Sequence, residues 1–391
     1  MWYGGSAEMN KCAFATFLWA FILLTFVSLF SYTALLWRQF LHRRPDVSQS
    51  RGGQRPSQPI FSWPAADESK IAHLVQDRLQ VYRRQLIIQL RRVQLDQRAA
   101  NQATKENHYK VPVRQNFRRP SHLPGPSAIC QLPDVRVFRR GDEPFREQGS
   151  DLYFPHLSSQ TTFNSCAIVS SAGSMLKSRL GTEIDSHDAV LRFNNAPAGG
   201  RFAADVGCRT THRVINSQVV TKPEFDFFDS PLYRNVTLLV WDPSAYRQPL
   251  DKWMEKPEHD LFASYFLRRQ ILPDEELLLV DPQSLWQIWD FINYNSPLPV
   301  IKNTPSSGII GLAYMVRRCN TLHFYEYIPS MRLTKRCHYY AEQEDIGCTT
   351  GVWHPLAAEK MLVLNMTPSS NLEVFEKGRI SFSWYSTCHV P

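Results

Sequence analysis

Hydrophobic and polar positions divide the chain into three stretches of different character. From Cys12 to Trp37, 26 consecutive residues carry no charge. About 20 apolar residues suffice for a helix to cross a bilayer. No small-residue cleavage site follows, and the polar segment downstream offers nothing to cover the run as a buried core helix. The pattern therefore predicts an uncleaved transmembrane signal anchor at 12–37 behind a short cytoplasmic tail at 1–11. Residues 38–128 are rich in Pro, Ser, Gln and Arg around one amphipathic stretch, Ile71 to Arg98. There Leu79, Tyr82, Leu86, Leu90 and Val93 follow the spacing of one helical face. This region reads as a stem whose helix is a spacer, although a lone basic helix can also lie on a membrane or self-associate.

From residue 129 onward, short β-branched or aromatic runs alternate with helical ones. Candidate strands are Cys166–Ser170, Ala189–Phe193, Arg213–Asn216, Thr237–Trp241, Leu277–Val280 and Thr321–Tyr327. Candidate helices are Ser174–Leu180, Leu285–Tyr294 and Ser307–Cys319. This alternation predicts an α/β domain over 129–391 with a mostly parallel sheet, whose ligands would sit at the carboxyl ends of strands.

Charge and cysteine content refine the picture. Of the formal net charge of +8, residues 38–128 contribute +11 (17 Lys and Arg against 6 Asp and Glu), leaving −3 for 129–391. The basic character belongs to the stem, so a nucleic-acid-binding core is not expected. Seven of the eight cysteines lie beyond residue 129 with no zinc-like spacing. Two glycosylation sequons begin at Asn235 and Asn365, the second weakened by Pro368. Lys11 before the span and Arg38, Arg43 and Arg44 after it favour a cytosolic domain. Cysteines and sequons together favour an oxidising lumen, and a large domain can be translocated despite flanking charge.

Two turns have the chemistry of anion sites. In Cys166-Ala-Ile-Val-Ser-Ser171-Ala-Gly173-Ser174 a buried strand runs into small residues and a helix start capped by Ser174, with Gly173 clearing the backbone for a ligand. Pro305-Ser306-Ser307-Gly308 repeats the device before the next helix. Asn194, Asn195, Asn216 and Gln218 end two candidate strands, where amides suit a base edge or sugar hydroxyls and also ordinary turns. His354, in Trp353-His354-Pro355, ranks first among candidate general bases. No Asp-x-Asp pair is present to hold a divalent metal against a nucleotide diphosphate.

Taken together, these segments resemble the animal sialyltransferases, and within them the beta-galactoside alpha-2,6-sialyltransferase branch. The long motif is Cys166–Gln218, the short motif Pro305–Ser330, the third His338-Tyr339-Tyr340 and the last His354–Glu359; Leu239–Ser244 with Tyr246 and Trp253 points to the alpha-2,6 branch. The resemblance implies a GT-A-like (Rossmann-like) domain in a single-pass type II Golgi membrane protein, with the catalytic domain lumenal. It implies transfer of sialic acid from CMP-sialic acid to the 6-hydroxyl of galactose, or N-acetylgalactosamine, on glycoprotein N-glycans, by metal-independent inverting displacement. A different acceptor or linkage, or an inactive glycan-binding protein, are the alternatives. By motif position His354 is the catalytic base. Ser171, Asn194, Asn216, Ser306, Ser307, Gly308, Thr349, Trp353 and Lys360 are expected to bind donor, and Gln218 and Glu258 acceptor. The implied disulfides are Cys130–Cys388, Cys166–Cys319 and Cys337–Cys348. Cys208 is left over, free or joining two chains as a homodimer. Ala341 departs from the third motif's usual acidic or amide ending.

Overall fold

The structure, a computed structural model, describes residues 68–103, 109–111, 124–156, 161–300, 303–332, 334–344 and 353–388. The expected anchor at 12–37 lies outside the described residues. Among the described residues no helix is long and apolar enough to cross a membrane.

Seven strands form one sheet: β1 (Phe163–Val169), β2 (Ala189–Phe193), β3 (His212–Asn216), β4 (Thr237–Trp241), β5 (Leu277–Leu279), β6 (Cys319–Tyr325) and β7 (Arg379–Phe382). Their order is β5-β4-β3-β2-β1-β6-β7, parallel except for the β6–β7 pair. Every residue of β2, β4 and β5 is buried. That is why these strands read as continuous apolar runs: a parallel sheet is covered on both faces. The chain order reverses at β1, with β2 on one side and β6 on the other, so the crevice for a ligand opens where β1 and β6 end. The principal helices are α1 (Glu68–Ala103), α2 (Ser217–Thr221), α3 (Leu261–Ile271), α4 (Pro282–Asn295), α5 (Ser307–Val316) and α6 (Leu356–Met366).

Two of the expected disulfides are formed. Cys166–Cys319 joins β1 to the start of β6, and Cys130–Cys388 ties the two ends of the domain together. Cys337 is disulfide-bonded, while Cys348 lies outside the described residues. Cys208 is free and exposed.

Three expectations need correction. No helix runs over 174–180: the chain makes a single tight turn at Gly173–Met175. Lys177 and Arg179 then take positive φ, and their N–H groups donate to the Asp205 carboxylate (2.8 and 3.0 Å) rather than to helical carbonyls. Gly173 is needed for packing and not only for a ligand's approach, because a Cβ there would strike the Arg336 carbonyl and Thr334. The glycine lets the 334–338 segment lie against the end of β1.

The amphipathic helix, α1, is not a free spacer. Val75, Leu79, Tyr82, Leu86 and Leu90 are buried in the main core. The Tyr82 ring meets Phe375 edge-on at 5.9 Å. Arg83 donates to Asn365 Oδ1 (3.4 Å), and Asn371 donates to Gln76 Oε1 (3.0 Å). An apolar helical face gains about 1.5–3 kcal/mol per large side chain when covered, and α6 together with the 371–375 segment covers this one.

This docking bears on the sequons. Asn365 Nδ2, the atom that would carry a glycan, is enclosed and unpartnered beneath α1. Asn235 stands exposed in the turn before β4. Peptide mass spectrometry of protein secreted from animal cells should therefore find glycan on Asn235 and an unmodified Asn365; glycan at Asn365 would mean that α1 docks only after leaving that sequon open.

Candidate active site

The entry to α5 is built from inside the protein. Ser306 caps the helix, its Oγ accepting from Ile309 N–H at 3.4 Å. Its hydroxyl donates to Glu359 Oε2 at 2.5 Å, and its N–H donates to Glu359 Oε1 at 2.8 Å. Tyr327 Oη–H donates to Oε2 as well, at 2.8 Å. Glu359, on α6, is fully buried, so this carboxylate is satisfied by three donors that fix the turn. Burial, and then the adjacent carboxylate, push the Tyr327 hydroxyl well above its usual range, keeping it a donor.

Two sequence readings change here. Ser306 has committed its single hydrogen to Glu359, so it shapes the turn rather than donating to a ligand. Gly308 is required by packing, because a Cβ would lie 2.7 Å from the Tyr327 ring. Ser307 differs: its Oγ accepts from Trp241 Nε1–H at 3.1 Å, leaving its own hydrogen to donate outward. The first-turn amides of α5 add the positive end of a helix dipole.

His354 stands just before α6, with Nδ1 2.9 Å from the Thr304 carbonyl. A carbonyl can only accept, so Nδ1 carries a hydrogen, and in the neutral ring the lone pair is on Nε2. Lys360 lies two turns further along, its ammonium lowered to about 8 by burial. At the end of β1, Tyr339 N–H donates to the Ser171 carbonyl (3.1 Å), and His338 pairs with Ala172 across a β-bridge. The His338 ring stacks on Tyr340 at 5.1 Å, and burial lowers its pKa.

These groups share one cavity of about 720 Å³, at the switch point between β1 and β6. Ser171, Ser306, Ser307, Gly308, His354 and Lys360 all line it. Asn194, Asn216, Gln218, Glu258 and Trp353 are not among its lining residues, and Thr349 is outside the described residues. Asn194 takes φ +44° at the end of β2, and its Oδ1 accepts from Asn216 N–H at 3.1 Å. Asn216 in turn caps α2 through Val219 N–H (3.2 Å). The carbonyl oxygen of each amide thus accepts from a backbone N–H. Gln218 accepts from Lys222 Nζ at 2.8 Å. Glu258 is exposed, and its N–H donates to Asp242 at 2.9 Å. Asp242 is buried, which raises its carboxyl pKa, and also accepts from Trp253 Nε1 at 2.9 Å.

Sequence reasoning missed the organising role of Glu359. Its signal was a Glu-Lys pair inside the mostly apolar Leu356–Met366 run, where charges are retained only if partnered.

A mostly parallel sheet with a cavity at its switch point defines the class as a doubly wound α/β fold. The chain belongs to glycosyltransferase family 29 (sialyltransferase), whose profile matches residues 146–370. It is 42% identical over 290 residues to beta-galactoside alpha-2,6-sialyltransferase 2 of Xenopus tropicalis, covering 72% of this chain and 56% of that protein. The Gallus gallus protein of the same name is 41% identical over 289 residues, covering 72% and 54%. The chain thus spans about half the length of the curated relatives it matches. A solved mammalian sialyltransferase aligns with TM-score 0.36 and 17% identity over 67% of this chain and 80% of that one.

Proposed function

We propose that the protein is a Golgi type II membrane enzyme that transfers sialic acid from CMP-sialic acid to the 6-hydroxyl of terminal galactose, or N-acetylgalactosamine, on glycoprotein glycans. Membership of family 29 supports the reaction class. The names of the relatives support the linkage and acceptor. The observation that carries the mechanism is the tautomer of His354 at the mouth of α5.

In this reading Nε2 of His354 takes the proton from the acceptor hydroxyl as its oxygen attacks the anomeric carbon. The bond from that carbon to the phosphate oxygen breaks, the configuration inverts, and CMP leaves as a phosphate monoester. The Ser307 hydroxyl, the first amides of α5 and the Lys360 ammonium stabilise charge on phosphate and carboxylate. The departing anion needs no metal, in keeping with the missing Asp-x-Asp pair. The enzyme secreted as residues 65–391, which retain α1, should sialylate galactose-terminated glycans in EDTA, with the linkage read by linkage-specific sialidase. A folded protein that binds CMP yet transfers nothing would overturn the enzymatic reading and favour a glycan-binding one.

Lys360 gives a pH signature. The side chain is protonated below about 8 and neutral above. The KM for CMP-sialic acid should therefore rise as pH passes about 8, and Lys360→Met should start from the higher KM and lose that rise. A donor KM independent of pH in both proteins would remove Lys360 from donor binding.

A further inference from the structure

The same cavity has a wall that the family motifs do not supply. Arg78, Tyr82, Gln85 and Gln89 of α1 line it together with Ser307 and Lys360. Their spacing of four, three and four places them on one stripe of the helix, alongside the apolar stripe that seats α1 on the core. This stripe lies N-terminal to the family-matched residues 146–370.

Two groups on it are incomplete. Tyr82 is only 6% exposed, yet its hydroxyl is enclosed without a hydrogen-bond partner. Arg78 Nε is likewise enclosed and unpartnered, and no carboxylate among the described residues forms an ion pair with Arg78. Leaving such donors unsatisfied is costly, and native proteins rarely do so without a reason. Both atoms are sealed from solvent, so the part of this pair open to a ligand is the outer N–H edge of the Arg78 guanidinium, which suits an oxyanion. The cavity's charge agrees: among the described residues Arg78, Lys335, Arg336 and Lys360 line it against one carboxylate, Glu326, which is already held by Arg332 and Ser330 N–H.

We propose that α1 is a wall of the substrate site, and that the outer guanidinium N–H groups of Arg78, seated beside Tyr82, bind an oxyanion of the sugar-nucleotide donor, either its phosphate or its sialic acid carboxylate. This rests on the activity proposed above. It gives the segment between anchor and domain a binding role, and it predicts that donor affinity depends on residues upstream of the family motifs.

The test uses the full-length chain in detergent, comparing Arg78→Gln and Arg78→Lys with Arg84→Gln, an exposed position of the same helix. Arg78→Gln should raise the KM for CMP-sialic acid about tenfold or more, with kcat, acceptor KM and thermal midpoint unchanged. Arg78→Lys should recover part of the loss, and Arg84→Gln should match the parent. Inhibition by CMP distinguishes the two anions: it weakens in parallel if Arg78 holds phosphate and is unchanged if Arg78 holds the carboxylate. An unaltered donor KM, a change confined to acceptor KM, or faster turnover in Arg78→Gln would overturn the proposal. If the unaltered chain transfers nothing, the activity reading fails instead, and calorimetric binding of CMP-sialic acid to Arg78→Gln still decides this one.

Discussion

His354→Ala is expected to lower kcat for sialyl transfer by about 10²–10⁴-fold, the range that a positioned general base contributes, while CMP binding stays intact. The asymmetry follows from geometry. Nδ1–H is occupied by the Thr304 carbonyl, so Nε2 is the ring nitrogen left to face the acceptor hydroxyl. The groups proposed for phosphate, Ser307 and the start of α5, take their positions from Trp241 and Glu359 instead. Steady-state kinetics with calorimetric CMP titration separate these roles. Turnover within a few-fold of the parent would remove His354 from the chemistry, and loss of CMP binding would make it a structural residue of the pocket.

Glu359→Ala should be the most damaging single substitution for folding among the site residues. It strands the Ser306 N–H, the Ser306 hydroxyl and the Tyr327 hydroxyl in a buried position. Each unsatisfied donor costs about 1–3 kcal/mol, a large share of a typical 5–15 kcal/mol total. We expect secretion to fall sharply and any secreted protein to melt well below the parent. Glu359→Gln keeps one carbonyl acceptor and should recover part of the loss. Ser306→Ala, which removes one donor together with its demand, should cost less than Glu359→Ala. A melting midpoint unchanged in Glu359→Ala would show that the turn holds itself.

Much of the architecture was legible in the chain. Ala189–Phe193 and Thr237–Trp241 were read with their observed limits, because a strand buried on both faces must be apolar throughout. The helix at Ser307 announced itself through Pro, a serine cap and an apolar run. The segment after β1 misled because its serines, glycine and leucines fit a helix start. Asp205, about thirty residues away in sequence, captured its amides instead. No local pattern can report such a partner.

The site divides along the same line. Sequence by itself determined which residues could do chemistry: a histidine beside a proline, two serine turns, a lysine in an apolar helix, and an amphipathic helix in a basic stem. It could also specify the parallel sheet and the two disulfides seen, since periodicity is local and the pairing came with the motif resemblance. Tertiary structure decided what each residue does. It tied Ser306 to Glu359, left Ser307 facing outward, drew Asn194 and Asn216 into backbone turns, and laid α1 across the cavity. The reason is physical. A residue's hydrogen-bonding capacity is fixed by its type, but which of its donors and acceptors remain for a ligand depends on partners that only folding brings within reach.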